Sequence, residues 1–269
     1  MFQNLRKSKK LLLIAMTCAT FAIAGCGSDT TKTTGDNGTS VTWSETFDGT
    51  KTDFAVKSAP THAVSMSQAT TEMMLQLGLE DKMAGTAFKE EEIYPPLQAA
   101  YDKVKVLSDK WPSYEVFMSV KPDFATGWPD SFSKRAIPAD KMISQKVNIW
   151  IPESMLSTKA DLETNFSDMI KLGEIFGVKP KAEEWVSGQR KTLAAIQDKL
   201  KDLPRKRIFI YDSEDGQPFT AFEGYTTNIL KLIGADNVMS GLGVDKTWAK
   251  GSWETVIAQN PDYIIIADY

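Results

Sequence analysis

The sequence predicts an α/β protein in which two parallel-sheet α/β lobes are joined by a long connecting helix. Strand candidates alternate with helix candidates in residues 60–157 and again in residues 205–269, a pattern typical of a parallel sheet covered by helices. Residues 158–203 carry helical patterns alone. One helix-to-strand motif also occurs twice, once in each half, so the two halves are predicted to share a plan.

The repeated motif combines a helix start with a turn into a strand. Ser113-Tyr114-Glu115 is followed after six residues by Pro122-Asp123-Phe124, and Ser252-Trp253-Glu254 is followed after six residues by Pro261-Asp262-Tyr263. A serine is a favoured helix N-cap, and a glutamate in the first turn is stabilised by the helix dipole. Two lobes built on one plan predict a binding cleft between them.

The first 25 residues predict a bacterial lipoprotein signal peptide. Residues 6–10 hold four basic side chains, residues 11–24 are apolar, and Ile23-Ala24-Gly25-Cys26 closes the segment. The apolar run would span only about 20 Å of a hydrocarbon core roughly 30 Å thick, so cleavage is favoured over membrane insertion. Cys26 is therefore expected to be lipidated, which would anchor the chain to the extracytoplasmic face of the cell membrane.

Charge and cysteine content agree with that location. The formal net charge is −4, and removal of residues 1–25 takes away four cations and no acid, which leaves −8. An acidic mature chain argues against a nucleic-acid partner. Cys18 lies inside the predicted signal, so Cys26 alone would remain and no disulfide could form.

Residues 26–55 are predicted to be a flexible tether. From Gly27 to Gly49 most residues are small and polar, and only Val41, Trp43 and Phe47 are large and apolar. Such a segment would let a lipid-anchored body turn toward a membrane partner.

Residues 60–157 are predicted to form the first lobe. Residues 67–70 form a loop and residues 71–77 a helix in this prediction. Its strand candidates are apolar runs separated by Pro-rich turns and short helices: His62–Met66, Lys82–Thr86, Lys103–Leu107, Phe124–Thr126 and Val147–Ile151.

Residues 158–203 are predicted to form the connector and residues 205–269 the second lobe. The helix over residues 161–176 ends at Gly177, and the helix over residues 181–203 would reach about 35 Å, enough to bridge two lobes. The last element of the second lobe is an apolar strand with no helix to cover it. The second lobe is therefore predicted to be truncated.

Short phrases in a fixed order resemble a known family. They are Ser65-Met66-Ser67 followed by Thr71-Glu72 and Leu77-Gly78; Pro112-Ser113 with Glu115 and Lys121-Pro122-Asp123; and Trp253-Glu254 with Asn260-Pro261-Asp262. With the lipoprotein signal and the long connector, they resemble the substrate-binding lipoproteins of ABC importers, in the class with a rigid helical connector. Members of that class capture ferric siderophores, haem or cobalamin, and the resemblance leaves the choice among these open.

The resemblance also implies partners. A protein of this class works with a permease dimer and its ATPase, and one acidic residue on each lobe contacts permease arginines. The matching positions are Glu115 and Glu254, where a carboxylate can make charge-assisted contacts. The alternative is that each glutamate only stabilises its own helix start. The chain is predicted to act as a monomer.

Ligand-binding candidates lie in the loops at the carboxyl ends of the predicted strands, where ligands meet open α/β sheets. Flat rings with a few cations suit a planar, partly anionic chelate. Trp111, Trp128 and Trp248 are favoured because they lie in polar loops, whereas Trp150 and Tyr211 are assigned to the core. The full set of candidates is Ser67, Gln68, Lys110, Trp111, Trp128, Lys134, Arg135, Phe219, Phe222, Tyr225 and Trp248.

The sequence predicts neither a metal site nor a catalytic residue, so the chain is not expected to be an enzyme. His62 is the single histidine, too few for a bare transition metal, so iron or cobalt would arrive inside an organic ligand and no cofactor of the protein's own is expected. A G-x-S-x-G elbow is absent from the sequence. Two other functions stay open: a ligand-binding surface sensor and an extracytoplasmic hydrolase.

Overall fold

The computed structural model of the chain describes residues 40–267. Its first element is a β-hairpin of β1 (Val41–Phe47) and β2 (Thr50–Val56). Asp48 and Gly49 join the strands with positive φ angles of 48° and 78°. A two-residue type I′ turn requires positive φ at both central residues, and Asp-Gly is one of the sequences that favour it.

The hairpin packs on the first lobe, which makes the predicted tether wrong over residues 41–55. Trp43 stacks on Phe54 with ring centroids 5.7 Å apart, and its indole N–H donates to the carbonyl of Ile149 at 2.7 Å. These two rings lie on one face of the hairpin because Trp43 and Phe54 are directly opposite each other in the antiparallel register. The remainder of the predicted tether, residues 26–39, lies outside the described residues, as do the predicted signal peptide and Cys26.

The first lobe contains a five-stranded parallel sheet, as predicted, in the order β5-β4-β3-β6-β7. Its strands are β3 (Ala63–Ser65), β4 (Met83–Ala87), β5 (Val106–Ser108), β6 (Phe124–Thr126) and β7 (Asn148–Trp150). Its helices are α1 (Gln68–Gln76), α2 (Gln98–Tyr101), α3 (Tyr114–Ser119) and α4 (Ala139–Ser144). The third strand begins later than predicted because the amides of Lys103 and Val104 still bond back to α2.

Both faces of this sheet are covered, as the mostly apolar strands predict. Ala63, Phe124 and Trp150 face one apolar cluster, and Val64 and Ile149 face the other. Trp150 is 4% exposed, which confirms its assignment to the core.

Two long helices follow and form the connector: α5 (Leu162–Ile175) and α6 (Lys179–Leu200). Asp161 caps α5 and forms a capping box with Thr164. The start of α6 packs on the first lobe, where Ala182 and Val186 are buried. Near the other end of α6, the side-chain amide of Gln197 donates to the carbonyl of Leu232 in the second lobe at 3.3 Å. The helix therefore covers one lobe and reaches the other.

The second lobe has two small sheets, one of which the sequence did not predict. The predicted parallel sheet has the order β11-β8-β13, and an antiparallel sheet has the order β12-β10-β9. The strands are β8 (Lys206–Tyr211), β9 (Ser213–Glu214), β10 (Pro218–Ala221), β11 (Ala235–Asn237), β12 (Trp248–Lys250) and β13 (Tyr263–Ile266). The helices are α7 (Tyr225–Leu232) and α8 (Trp253–Gln259).

The repeated motif has the same hydrogen bonds in both lobes. In the first lobe the Asp123 amide donates to the carbonyl of His62 at 3.1 Å, and the Asp123 carboxylate accepts the His62 amide at 3.0 Å. In the second lobe the Asp262 amide donates to the carbonyl of Arg207 at 2.8 Å, and the Asp262 carboxylate accepts the Arg207 amide at 2.8 Å. Each Pro-Asp turn thus fixes a strand beside its parallel partner, which explains why the motif recurs.

Candidate ligand-binding cleft

A cavity of about 450 Å³ lies between the two lobes, within the usual range for small-molecule sites. The first lobe and the connector line one side and the second lobe lines the other. The lining residues are Ala69, Met73, Trp128, Ser154, Met155, Asn165, Glu223, Tyr225, Thr226, Thr247 and Trp248.

Ala69 and Met73 reach the cavity because a network of buried hydroxyls fixes the start of α1. The Ser67 hydroxyl accepts the Thr70 amide at 3.2 Å and hydrogen-bonds the Thr70 hydroxyl at 2.8 Å. The Thr71 hydroxyl joins α1 to the sheet through Thr86, at 2.6 Å. Ser67 is fully buried, so it positions α1 and is not available to a ligand in this conformation.

Gln68 positions a neighbouring loop. Its side-chain oxygen accepts the amides of Glu90 and Glu91 at 2.9 and 2.7 Å, and its side-chain nitrogen donates to Glu72 and to the carbonyl of Glu92. Because both the oxygen and the nitrogen of its side chain are hydrogen-bonded, Gln68 holds the loop of residues 90–92 in place and does not line the cavity.

Trp128 forms the aromatic wall on the first-lobe side. It follows β6 and Gly127, where a Cβ atom would lie 2.9 Å from the Ser131 hydroxyl and 3.1 Å from the Cβ of Met66, so the backbone approaches the sheet closely here. The Trp128 indole N–H points to a carboxylate oxygen of Glu90 at 3.4 Å.

Trp111 is held by the first lobe and does not line the cavity. Its indole N–H donates to the carbonyl of Met66 at 3.1 Å, and its ring stacks on Phe88 with centroids 4.5 Å apart. The ring also packs against the apolar cluster of the first lobe. The expectation that Trp111 is mainly a ligand contact is therefore not supported by its position.

A buried acid below the cavity sets the position of Ser154. Asp168 is 5% exposed, and its carboxylate accepts the amides of Glu153 and Ser154, each at 2.9 Å. Burial raises the pKa of Asp168 because the charged form loses hydration. This role could not be predicted from the sequence, because Asp168 lies within the helical pattern of α5 and resembles a residue of its polar face.

The second lobe presents two rings and an acid to the cavity. Trp248 lies in β12 and stacks on Phe219 of β10 with centroids 6.1 Å apart, so both belong to strands and not to the predicted loops. Tyr225 begins α7, and its phenol pKa is raised, first by burial and then by the charge of Asp168. The carboxylate of Glu223 accepts the Ser240 hydroxyl at 3.0 Å and the Gly241 amide at 2.8 Å.

The structure thus brings Trp128, Tyr225 and Trp248 together and places the other candidates elsewhere. Phe222 is 3% exposed in the core of the second lobe. The predicted cations are exposed and do not line the cavity: Lys110, Lys134 and Arg135. The lining also includes Met73, Asn165 and Glu223, which no sequence motif marks.

The two candidate docking residues are exposed, one on each lobe. Glu115 lies in the first turn of α3, where the Ser113 hydroxyl accepts the Val116 amide at 3.3 Å, and Glu254 lies in the first turn of α8. The backbone amide of Glu115 and then the Ser113 hydroxyl lower the pKa of that carboxyl, with a smaller effect of Lys141. Both positions also fit the alternative that each glutamate only stabilises the start of its own helix. Contact with a permease therefore stays a prediction.

Two further properties concern metals and membranes. Across residues 40–267, no group of three or more His, Cys, Asp or Glu side chains is arranged to hold a metal ion. Within the same part of the chain, every helix is too short or too polar to cross a bilayer.

Comparison with known proteins places this architecture in a family. A family profile described as "Periplasmic binding protein" matches residues 64–269. A crystal structure of a periplasmic binding protein from Veillonella parvula dsm 2008 is similar with 98% identity and a TM-score of 0.85, over 86% of this chain and 78% of that one.

Two curated relatives are more distant. An uncharacterized ABC transporter substrate-binding lipoprotein of Bacillus subtilis (strain 168), YvrC, is 26% identical over 97% of this chain and 82% of its own length. A vitamin B12-binding protein of Yersinia pestis (strain Pestoides F) is 23% identical over 78% of this chain and 70% of its own length. Two parallel-sheet lobes around a cleft, and a profile match over most of the chain, show that it belongs to the periplasmic binding protein family.

Proposed function

We propose that this chain is the extracytoplasmic substrate-binding component of an ABC importer, which captures an organic metal chelate between its lobes and delivers it to the permease. The observation that carries this proposal is the cavity between the lobes, where Trp128 faces Tyr225 and Trp248 from the other lobe. Rings from two bodies can stack on both sides of a flat or macrocyclic ligand. The relatives named above, a transporter lipoprotein and a vitamin B12-binding protein, support the same class.

The cavity lining favours a ligand that brings its own metal. It contains hydroxyls, an amide, two thioethers and the single carboxylate of Glu223 beside the rings, but neither histidine nor cysteine. These groups suit an organic ligand surface and not a bare transition metal. The proposal therefore gives the protein no metal or cofactor of its own, and iron or cobalt would enter with the chelate.

Binding can be tested with purified protein and a panel of ferric siderophores, haem and cyanocobalamin. Binding to the folded state raises the unfolding midpoint, so one class should give a concentration-dependent shift. The matched variant Trp128→Ala should weaken that binding at least tenfold, because it removes a ring from the cavity wall. Trp253→Ala, on α8 and outside the cavity lining, serves as the control. A panel without any shift would contradict the proposal.

We also propose that Cys26 carries a lipid that holds the protein at the extracytoplasmic face of the cell membrane. The relative from Bacillus subtilis is named a lipoprotein, which supports this location. Cys26→Ser should move the protein from the membrane fraction to the soluble fraction after fractionation of cells. A processed Cys26→Ser protein that stays fully membrane-bound would refute the anchor.

The proposed partners are a permease dimer and its ATPase, with the binding protein acting as a monomer. Family membership supports a transport partner, and the exposed carboxylates Glu115 and Glu254 offer one contact on each lobe. Because the family consists of binding proteins, we propose no catalytic role.

A further inference from the structure

The charges of the cleft walls bear on which chelates the cleft accepts. Glu223 is the single charged residue that lines the cavity, as far as residues 40–267 show. A second cavity of about 360 Å³ adjoins the first, since Ala69, Met73 and Asn165 line both. Its single charged lining residue is Glu72, again within the described chain.

Neither carboxylate is neutralised by a cation. Glu223 accepts hydrogen bonds from the Ser240 hydroxyl and the Gly241 amide, and Glu72 accepts them from the Gln68 side chain and the Tyr94 amide. All four donors are uncharged. In the part of the chain that the structure covers, neither acid has a lysine or arginine nitrogen within 4 Å.

A third carboxylate, that of the exposed Glu90, lies beside Trp128. Glu90 accepts the Trp128 indole N–H at 3.4 Å, and the side-chain oxygen of Gln68 accepts the Glu90 amide. Partial burial raises the pKa of Glu90, and the Trp128 hydrogen bond opposes this. An acid thus lies next to the aromatic wall as well as in the cavity lining.

The cations predicted for the cleft do not line it. Arg135 pairs with Asp130 at 2.5 Å, so its charge is already matched. Lys110 and Lys134 are exposed and do not line either cavity. A cleft built for a partly anionic ligand would need such groups in its lining, so the expectation of an anionic chelate does not fit this structure.

We infer that the cleft selects chelates whose outer surface is neutral or cationic and discriminates against those that present carboxylates or a net negative charge. In a partly buried cleft the effective dielectric constant is low, so a like charge on the ligand is repelled more strongly than in water. The faces of Trp128, Trp248 and Tyr225 add to this preference, because aromatic faces attract cations. This inference rests on the proposed function and deepens it.

The test uses one ferric chelate in three charge states. A linear ferric trihydroxamate with a terminal amine is a monocation, its N-acetyl form is neutral and its N-succinyl form is an anion, while the iron coordination is the same in all three. We expect the affinity, measured by isothermal titration, to fall in that order, with at least a tenfold difference between the cation and the anion. Added salt should reduce the difference, because it screens charges that solvent reaches.

A matched pair of variants assigns the effect to the cleft. Glu223→Gln keeps an oxygen that can accept the Gly241 amide and removes the charge, so it should reduce the cation-to-anion ratio at least threefold. Glu184→Gln, an exposed position on α6, should leave the ratio unchanged. If Glu223→Gln does not fold, Glu72→Gln tests the same point in the adjoining cavity.

The outcomes separate this inference from the proposed function. If the trihydroxamates do not bind, cyanocobalamin and its monocarboxylic acid provide the same comparison of charge on one scaffold. Equal or tighter binding of the anionic form, or preferential binding of haem with its two propionates, would overturn the charge inference and leave the proposed function standing. Binding of none of these chelates would overturn both.

Discussion

Glu45 shows how one buried side chain links the hairpin to the end of β7 in the first lobe. It is 6% exposed on β1, and its carboxylate accepts the Ile151 amide at 3.0 Å, directly after β7. Burial raises its pKa from 4.5 to about 7, the Ile151 hydrogen bond opposes this, and the charges of Glu153 and Asp168 add to the rise. The residue is therefore a titrating group inside the first lobe.

The raised pKa predicts that stability falls as the pH rises from about 4.5 to 7. In this range the folded protein holds a proton on Glu45 and the unfolded chain does not, so a rise in pH favours the unfolded chain and lowers the free energy of unfolding. The full loss is on the order of 3 kcal/mol, reached above pH 7, and is absent below pH 4.5.

Glu45→Gln should remove this pH dependence. The amide oxygen of glutamine can still accept the Ile151 hydrogen bond, and no charge has to be buried. We expect a higher thermal midpoint than in the parent protein at pH 8 and a similar midpoint at pH 5, measured by calorimetry. A variant that is equally destabilised at both pH values would show that Glu45 is needed for packing and not as a titrating acid.

At the scale of elements, the two copies of the repeated motif differ in one strained position. Lys121 and Asn260 both precede the proline of the motif, and both have positive φ, 50° and 47°. Asparagine tolerates this left-handed conformation better than lysine does. Lys121→Asn should therefore stabilise the protein by about 0.5 to 1 kcal/mol, and Asn260→Lys should destabilise it by a similar amount.

Urea unfolding measures both changes, and a charge-matched control separates them from electrostatics. Lys57→Asn changes the net charge as Lys121→Asn does, but Lys57 is exposed and does not have a positive φ. Its unfolding midpoint should stay close to that of the parent. A gain in Lys57→Asn equal to that in Lys121→Asn would refute the conformational explanation.

The elements that could be predicted from sequence are those with strong local patterns. The parallel strands of the first lobe were predictable because apolar runs lie between Pro-rich turns, and α5 was predictable because Asp161 and Gly177 mark its ends. The hairpin was missed although Asp48-Gly49 is a strong turn signal, because the polar composition around it was given more weight. Strands β10 and β12 were missed because such short strands depend on pairing between residues about thirty positions apart.

The cleft could be predicted only in part, and the reason is again long-range contact. Rings such as Trp128 and Trp248 stand out in sequence because they follow strand candidates. The pairing of Arg135 with Asp130 and the burial of Asp168 depend on the folded chain, and no motif announces them. The rings of the cleft could therefore be predicted from the sequence, but the position of the predicted cations outside the cavity lining could not.

For the whole molecule, the two lobes are related in plan but are fixed by different contacts. The side-chain amide of Asn228 on α7 donates to the carbonyl of Ala160 at 2.8 Å, and the side-chain amide of Gln197 on α6 donates to the carbonyl of Leu232, so both hydrogen bonds join the connector to the second lobe. The start of α6 packs on the first lobe, so the connector contacts both lobes. A carboxylate on each lobe, Glu115 and Glu254, then lies at a spacing that these contacts maintain. Such a pair can report to a partner that both lobes are in place.

Charge reversal at both carboxylates should abolish uptake while ligand binding is retained. Glu115→Lys and Glu254→Lys each change an exposed residue outside the cavity lining, so the affinity for a bound chelate should stay within twofold of the parent value. Each single change should reduce uptake of a labelled chelate by cells, and the double change should reduce it at least tenfold, because a charge pair that becomes repulsive slows association and weakens docking. The matched control reverses Asp109 and Glu184, which are also exposed and change the net charge equally. Loss of ligand affinity in the docking variant would assign those carboxylates to the fold or the cleft, and an equal loss of uptake in the control would show that net charge alone is responsible.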